Sequence, residues 1–254
     1  MTVVSQTGND QVLLDAHGLA AWYGAAQILY DIGLQVRRGE VVALMGRNGA
    51  GKSTTLKTLM GLMDRRRGTV RFMDHDISDS QPHQIARLGM GFVPEDRRIF
   101  TDLTVTENLE VGRQPPRCWP DGSAAPSWTP QELYKLFPNL GEMPDRPGGR
   151  MSGGEQQMLT VGRTLMGNPL LVLLDEPSDG VAPVIVEQMA QMIRELKAKG
   201  VSILLSEQNL HFAELVSDRA YVLDSGEVAL SGAASELLGN PQVQARPCRT
   251  FTSM

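Results

Sequence analysis

Gly46, Arg47, Asn48, Gly49, Ala50, Gly51, Lys52 and Ser53 follow the spacing Gly, four residues, Gly, Lys, Ser. That pattern wraps backbone around phosphate when a strand precedes it and a helix follows. Both are predicted: Val41 to Met45 is an unbroken apolar run rich in β-branched residues, as in a strand buried on both faces, and Lys52 to Leu62 reads as a helix. The glycines let successive N–H groups turn toward phosphate oxygens, and the helix N-terminus adds a favourable dipole. Lys52 would then reach the β and γ phosphates while the Ser53 hydroxyl ligates Mg²⁺, with Thr54 next to it in the same nucleotide site.

A second constellation supplies acids. Leu170 to Leu174 is wholly apolar and stops at Asp175-Glu176-Pro177. Carboxylates at the end of a buried strand need a charged partner, because unpaired desolvation is expensive, and a divalent cation is one. Asp175 is assigned to that metal, and Glu176 to orienting and deprotonating an attacking water.

A third constellation is Ser152-Gly153-Gly154-Glu155. Ser and Glu three apart form a capping box, so a second helix N-terminus is expected, carrying glycines where backbone can approach an anion closely. Met158, Val161, Gly162 and Leu165 continue along one helical face.

In this order the motifs resemble the ATP-binding-cassette ATPases over most of residues 12 to 240, with Met151 where the family signature usually has Leu. The resemblance implies an α/β fold: a P-loop NTPase (RecA-like) core at about 10–95 and 168–242, an N-terminal antiparallel β subdomain, and an inserted helical subdomain at about 96–167, in one domain over 1–242. It implies ATP and Mg²⁺ as ligands. It also implies head-to-tail pairing of two cassettes, so that Ser152, Gly153, Gly154 and Glu155 of one subunit cap the γ-phosphate held by Gly46 to Ser53 of the other. Tyr23, just before Gly24, stands where the family stacks an aromatic ring on adenine, with Trp22 as the neighbouring alternative.

Three positions keep the family layout with other residues. Glu95 stands where a Gln usually senses Mg²⁺ and the γ-phosphate, and a carboxylate there brings an extra negative charge. Gln208 replaces a His, so it can donate a hydrogen bond but carries no positive charge. Ala182 replaces an interfacial Asp, and His211, one turn beyond Gln208, is expected at the surface. Val93-Pro94-Glu95, Arg97 to Phe100, Gly180 to Pro183 and Glu207-Gln208-Asn209 look most like the ATPase subunits of branched-chain amino acid importers. Urea and short-chain amide importers are close alternatives, and a soluble cassette ATPase without a transporter is the rival class.

The resemblance further implies a second cassette, either a paralogous mate or a second copy. It implies two integral membrane permease subunits docking near residues 95–109, and a soluble solute-binding protein acting through them. A net charge of −5 gives no bulk attraction to nucleic acid, and only two cysteines, Cys118 and Cys248, offer neither metal spacing nor a disulfide framework. No run of 18 apolar residues and no basic-then-apolar leader occurs, so attachment to the cytoplasmic face of a membrane is expected through partners.

These groups need a scaffold. Alternating strands and helices from Val41 onward predict a largely parallel sheet. Ile32, Leu34 and Val36 alternate with polar residues or Gly as a half-buried strand. Further strands are expected at Met90 to Val93 and Val201 to Leu205, and a helix from Pro183 that Gly200 ends. Thr104 with Glu107, and Thr129-Pro130 with Glu132, predict capped helix starts. Arg65-Arg66-Arg67 reads as a solvated turn, residues 113 to 130 as a Pro-rich loop in the insert, and residues 243–254 as a disordered tail.

Overall fold

The computed structural model describes residues 11–238. β1 (Val12–Tyr23) and β2 (Ala26–Arg37) form a hairpin turned at Gly24, whose φ of 58° suits a residue without Cβ. β3 (Val41–Met45) leads through the glycine loop into α1 (Lys52–Leu59), which stops three residues before Leu62. Gly61 adopts φ 73° there, and the Leu62 N–H turns back to Lys57 O at 2.8 Å. The glycine ends the helix.

β4 (Arg65–Phe72) and β5 (His75–Asp76) complete an antiparallel sheet in the order β2-β1-β4-β5. Arg65 to Arg67 therefore form a strand, contrary to the solvated turn expected of a charge run. Cross-strand chemistry accounts for the difference. Arg65 and Arg67 stack on Trp22 at 4.7 and 5.7 Å, while the Arg66 guanidinium donates to the carbonyls of Gly61, Met63, Ser78 and Ser80 at 3.0–3.2 Å.

After α2 (Pro82–Leu88) and β6 (Met90–Val93), the chain enters a helical region. It holds α3 (Val105–Val111), α4 (Pro130–Leu136), α5 (Pro138–Gly141) and α6 (Gly153–Leu165). It returns through β7 (Leu171–Asp175), α7 (Pro183–Ala198), β8 (Ser202–Glu207), α8 (Leu210–Val216), β9 (Arg219–Asp224), β10 (Glu227–Ala233) and α9 (Ala234–Leu238). The second sheet runs β10-β9-β3-β8-β7-β6 and is parallel except for β10. β7 and β8 begin one residue later than their apolar runs, and each carries its terminal acid, Asp175 or Glu207, within the strand.

The parallel sheet is covered on both faces, which is why its strands read as continuous apolar runs. Val41, Ala43, Val172, Leu174, Ile203 and Leu205 face the helical region, α7 and α8. Val42, Leu44, Leu171, Leu173 and Leu204 face α1 and the antiparallel sheet. The stretch 113–130 is irregular up to the start of α4, as expected. It is nonetheless anchored: Trp119 and Ala125 join the core beneath the antiparallel sheet and Trp128 the other core, with Arg38 stacked 3.9 Å from Trp119. The expected disordered tail, 243–254, lies outside the described residues. Among the described residues no helix is long and apolar enough to cross a membrane.

Arg66→Ala, which strips charged donors from part-buried carbonyls, is expected to lower unfolding free energy by about 2–3 kcal/mol. Arg67→Ala, which removes only an exposed stacking contact, should cost under about 1 kcal/mol. Urea denaturation of the two variants checks this, and equal small losses would return Arg66 to the solvent.

Candidate functional site

The loop between β3 and α1 opens onto a cleft lined by Tyr23, Ile28, Asn48, Gly49, Gly51, Lys52, Ser53, Thr54, Glu95, Glu176, Asp179 and Gln208. Two glycines in the loop are sterically required. A Cβ on Gly46 (φ 152°) would stand 2.6 Å from Leu223 O, and one on Gly51 (φ 105°) 2.8 Å from a Leu29 methyl. Lys52 is almost wholly buried; its ammonium donates to Gly46 O at 2.8 Å and Arg47 O at 3.1 Å and pairs with Glu176 Oε1 at 3.1 Å. Tyr23 is half exposed at the rim, whereas Trp22 is engaged by Arg65 and Arg67.

Glu176 follows β7 in a left-handed conformation, φ 46°, which costs a non-glycine residue on the order of 1–2 kcal/mol. Its second oxygen accepts from Gln208 Nε2 at 2.6 Å. Lys52, Glu176 and Gln208, far apart along the chain, thus meet through one carboxylate.

Asp175 lies behind the cleft, 1 % exposed, and accepts from Ser206 Oγ at 2.7 Å. Glu95 sits at the mouth. Burial, then the charges of Asp175, Glu176 and Asp179, push its carboxyl above the ordinary glutamate range, with Lys57 opposing. This convergence of acids beside a phosphate loop suits a divalent cation. Among the described residues no group of three or more His, Cys, Asp or Glu is arranged to hold one by itself. Ser53, Glu95 and Asp175 therefore fit a hard cation held largely by phosphate oxygens and water, as Mg²⁺ prefers.

The capping box at α6 forms as read: the Ser152 N–H donates to Glu155 Oε2 at 2.7 Å. Its glycines are also packing sites, because a Cβ on Gly153 would come within 2.7 Å of the Arg97 guanidinium, and one on Gly154 within 2.8 Å of Ile185. None of Ser152, Gly153, Gly154 and Glu155 lines the cleft of its own chain, nor do Gly46, Arg47 and Ala50 expose themselves there. His211 is exposed, as expected.

Several supporting residues escaped the sequence reading. Thr160 and Arg163 of α6 donate to the carbonyls of Arg97 and Arg98 at 2.7 and 2.6 Å, holding both arginines at positive φ, 62° and 47°. Asn108, fully buried, grips Phe100 through both its N–H and its C=O. The segment after Glu95 is thereby tied to the helix that carries Ser152. Glu207, 2 % exposed, accepts from the N–H groups of Ser178, Gln208 and Asn209; burial raises its carboxyl against these bonds. A buried acid closing an apolar strand was the available signal for Glu207. The tertiary contacts of Thr160 and Asn108 carry none.

Residues 29–179 match the ABC transporter family model. The branched-chain amino acid transport ATP-binding protein BraG of Pseudomonas aeruginosa is 41 % identical over 240 residues, 91 % of this chain and 97 % of the relative. The lipopolysaccharide export ATP-binding protein LptB of Escherichia coli K12 is 34 % identical over 232 residues, covering 91 % and 95 %. Among solved structures, a nucleotide-free ATP-binding cassette from an ABC transporter superposes with TM-score 0.76 at 28 % identity, over 92 % of this chain and 98 % of that one. An ABC transporter cassette in its ADP conformation gives 0.74 at 27 %, over 92 % and 97 %.

The folded chain holds the Glu95 proton more tightly than the unfolded chain does, so ionising Glu95 lowers stability. The penalty is absent below the ordinary glutamate range and sets in as pH rises through and above it. Glu95→Gln should melt higher than the parent at about pH 7–8 and lose that advantage near about pH 4. Thermal unfolding at both pH values checks the sign.

Proposed function

This chain belongs to the ABC transporter family, as an ATP-binding cassette whose hydrolysis of ATP is coupled to transport, and we propose that it powers an importer of branched-chain amino acids. The observation that carries the chemical assignment is the single carboxylate of Glu176, held between Lys52 at 3.1 Å and Gln208 at 2.6 Å on the phosphate cleft. The cargo assignment rests on the higher identity to BraG than to LptB and on the Val93-Pro94-Glu95 and Glu207-Gln208-Asn209 stretches.

The loop amides and Asn48 to Thr54 cradle the triphosphate, with Tyr23 at the rim placed for the adenine face. As phosphate enters, Lys52 exchanges its carboxylate partner for β and γ oxygens, which frees Glu176 Oε1. Glu176 then accepts a proton from the attacking water while Gln208 keeps the other oxygen in place. The water oxygen forms its bond to the γ-phosphorus as the bond to the bridging oxygen breaks, leaving ADP and phosphate. Ser53, Asp175 and Glu95 would hold Mg²⁺, which would supply charge neutralisation at the phosphate oxygens.

Ser152 to Glu155 stand off their own chain's cleft, which supports a reading in which they complete the site of a second cassette, paralogous or identical. Exposed Phe100, 47 % accessible, lies in the segment 95–109 that α6 and Asn108 grip. That segment is the proposed seat of the permease subunits, which would place the chain on the cytoplasmic face of the membrane.

Glu176→Gln should slow hydrolysis by about a hundredfold or more while ATP still binds, the scale of a lost general base. Lys52→Ala should weaken nucleotide binding itself; isothermal titration separates the two. Hydrolysis per chain should also rise with protein concentration until pairing saturates, and a verified monomer with full activity would remove the shared-site reading. Reconstitution with the permease subunits and binding protein of a branched-chain amino acid importer, followed by uptake of leucine against urea, tests the cargo.

A further inference from the structure

Ser206 is fully buried on β8, paired with Asp175 in the parallel register. Ahead of it the strand is Ile203, Leu204 and Leu205, so it turns polar where it meets the acids. A buried hydroxyl is costly unless bonded, and this one is bonded in a fixed direction. The Glu176 N–H donates to Ser206 Oγ at 3.0 Å, which leaves the hydroxyl proton to donate to Asp175 Oδ1 at 2.7 Å. The same N–H lies 3.1 Å from Ser206 O. Among the described residues no hydrogen bond reaches the other Asp175 oxygen, Oδ2.

We propose that Ser206 is a positioning residue for ATP hydrolysis: its hydroxyl holds the Asp175 carboxylate in one rotation, with Oδ2 as the oxygen available to a cation, and braces the peptide leading into left-handed Glu176. One hydroxyl thus sets the relative placement of the metal-side acid and the proton acceptor. The inference rests on the assignment of Asp175 to the cation. A hydroxyl that merely satisfies its own burial would affect stability alone.

The test measures ATP affinity of the full-length protein in EDTA and in Mg²⁺, for the parent, Ser206→Ala, Ser206→Thr and Asp175→Asn. Removing a hydrogen bond that orients a metal-side ligand typically costs 10–100-fold in metal affinity or activity, so the gain in affinity on adding Mg²⁺ should shrink about tenfold in Ser206→Ala. Affinity in EDTA should stay at the parent value. Ser206→Thr retains the hydroxyl and should retain the gain. If its extra methyl destabilises the fold, Ser206→Cys, close in size with a weaker donor, should give an intermediate gain. Steady-state hydrolysis should follow, with kcat lowered in Ser206→Ala and restored by Thr. A Ser206→Ala protein with the full Mg²⁺ gain, whether or not it melts earlier, would overturn the inference if Asp175→Asn abolishes that gain. An Asp175→Asn protein that keeps the gain would instead remove the cation assignment on which the inference rests.

Discussion

Two adjacent carboxylates close a strand that is otherwise sealed in hydrocarbon on both faces, and the arrangement around them answers the resulting desolvation cost. Asp175 is 1 % exposed and Glu176 9 %. At such depth an unpaired charge costs several kcal/mol, and truncating one member of a buried pair commonly costs about 3–5 kcal/mol. The structure assigns each acid its own partners: Ser206 for Asp175, Lys52 and Gln208 for Glu176. These partners come from the start of α1, which follows β3, and from β8 and the residue after it, so the acids can be accommodated only when β3, β7 and β8 lie side by side in their observed order. The chemistry and the sheet order are therefore one constraint.

The Lys52–Glu176 pair makes the cleft responsive to its substrate. Lys52 is also held by two loop carbonyls, and a triphosphate offers an ammonium stronger acceptors than a carboxylate shared with Gln208. On the proposed function, entry of phosphate and release of Glu176 would be coupled by competition for one cation. Glu95 adds a second sensitivity, since burial, and then the neighbouring acids, already raise its proton affinity. Arg97 and Arg98 link that residue to α6 through carbonyls held by Thr160 and Arg163. The left-handed conformation of both arginines is a local cost sustained by those bonds.

What could be read from the sequence was whatever is decided locally or by strand burial. The capping boxes at Thr104, Thr129 and Ser152 involve residues three apart and formed as expected. The apolar runs of β3, β6, β7 and β8 reported two covered faces. Arg65 to Arg67 failed because what decides them is distant: Trp22 on the paired strand and four carbonyls outside β4. A charge run in isolation carries no trace of these. Lys52 and Glu176 were named separately, but their 3.1 Å approach depends on sheet order, which no local pattern encodes. Ser206 lies between the apolar run Val201 to Leu205 and the stretch Glu207-Gln208-Asn209, and a lone serine at a strand end has no periodicity to mark it. Its meaning comes only from the cross-strand pairing with Asp175.

The head-to-tail pairing proposed above draws on the same geometry. A helix N-terminus offers unpaired N–H groups and a favourable dipole to an anion, yet α6 begins away from the cleft of its own chain. There Gly153 and Gly154 are packed against Arg97 and Ile185, so this helix start is set rigidly on the molecule. The capping box satisfies part of its hydrogen-bonding capacity internally, through Ser152 and Glu155. On the proposed shared site, the phosphates that this helix start would meet are those of a second cassette. In that proposal, pairing would be the step at which each chain's phosphate loop and the other's helix start become one site, and hydrolysis, by removing the γ-phosphate, would remove what they share.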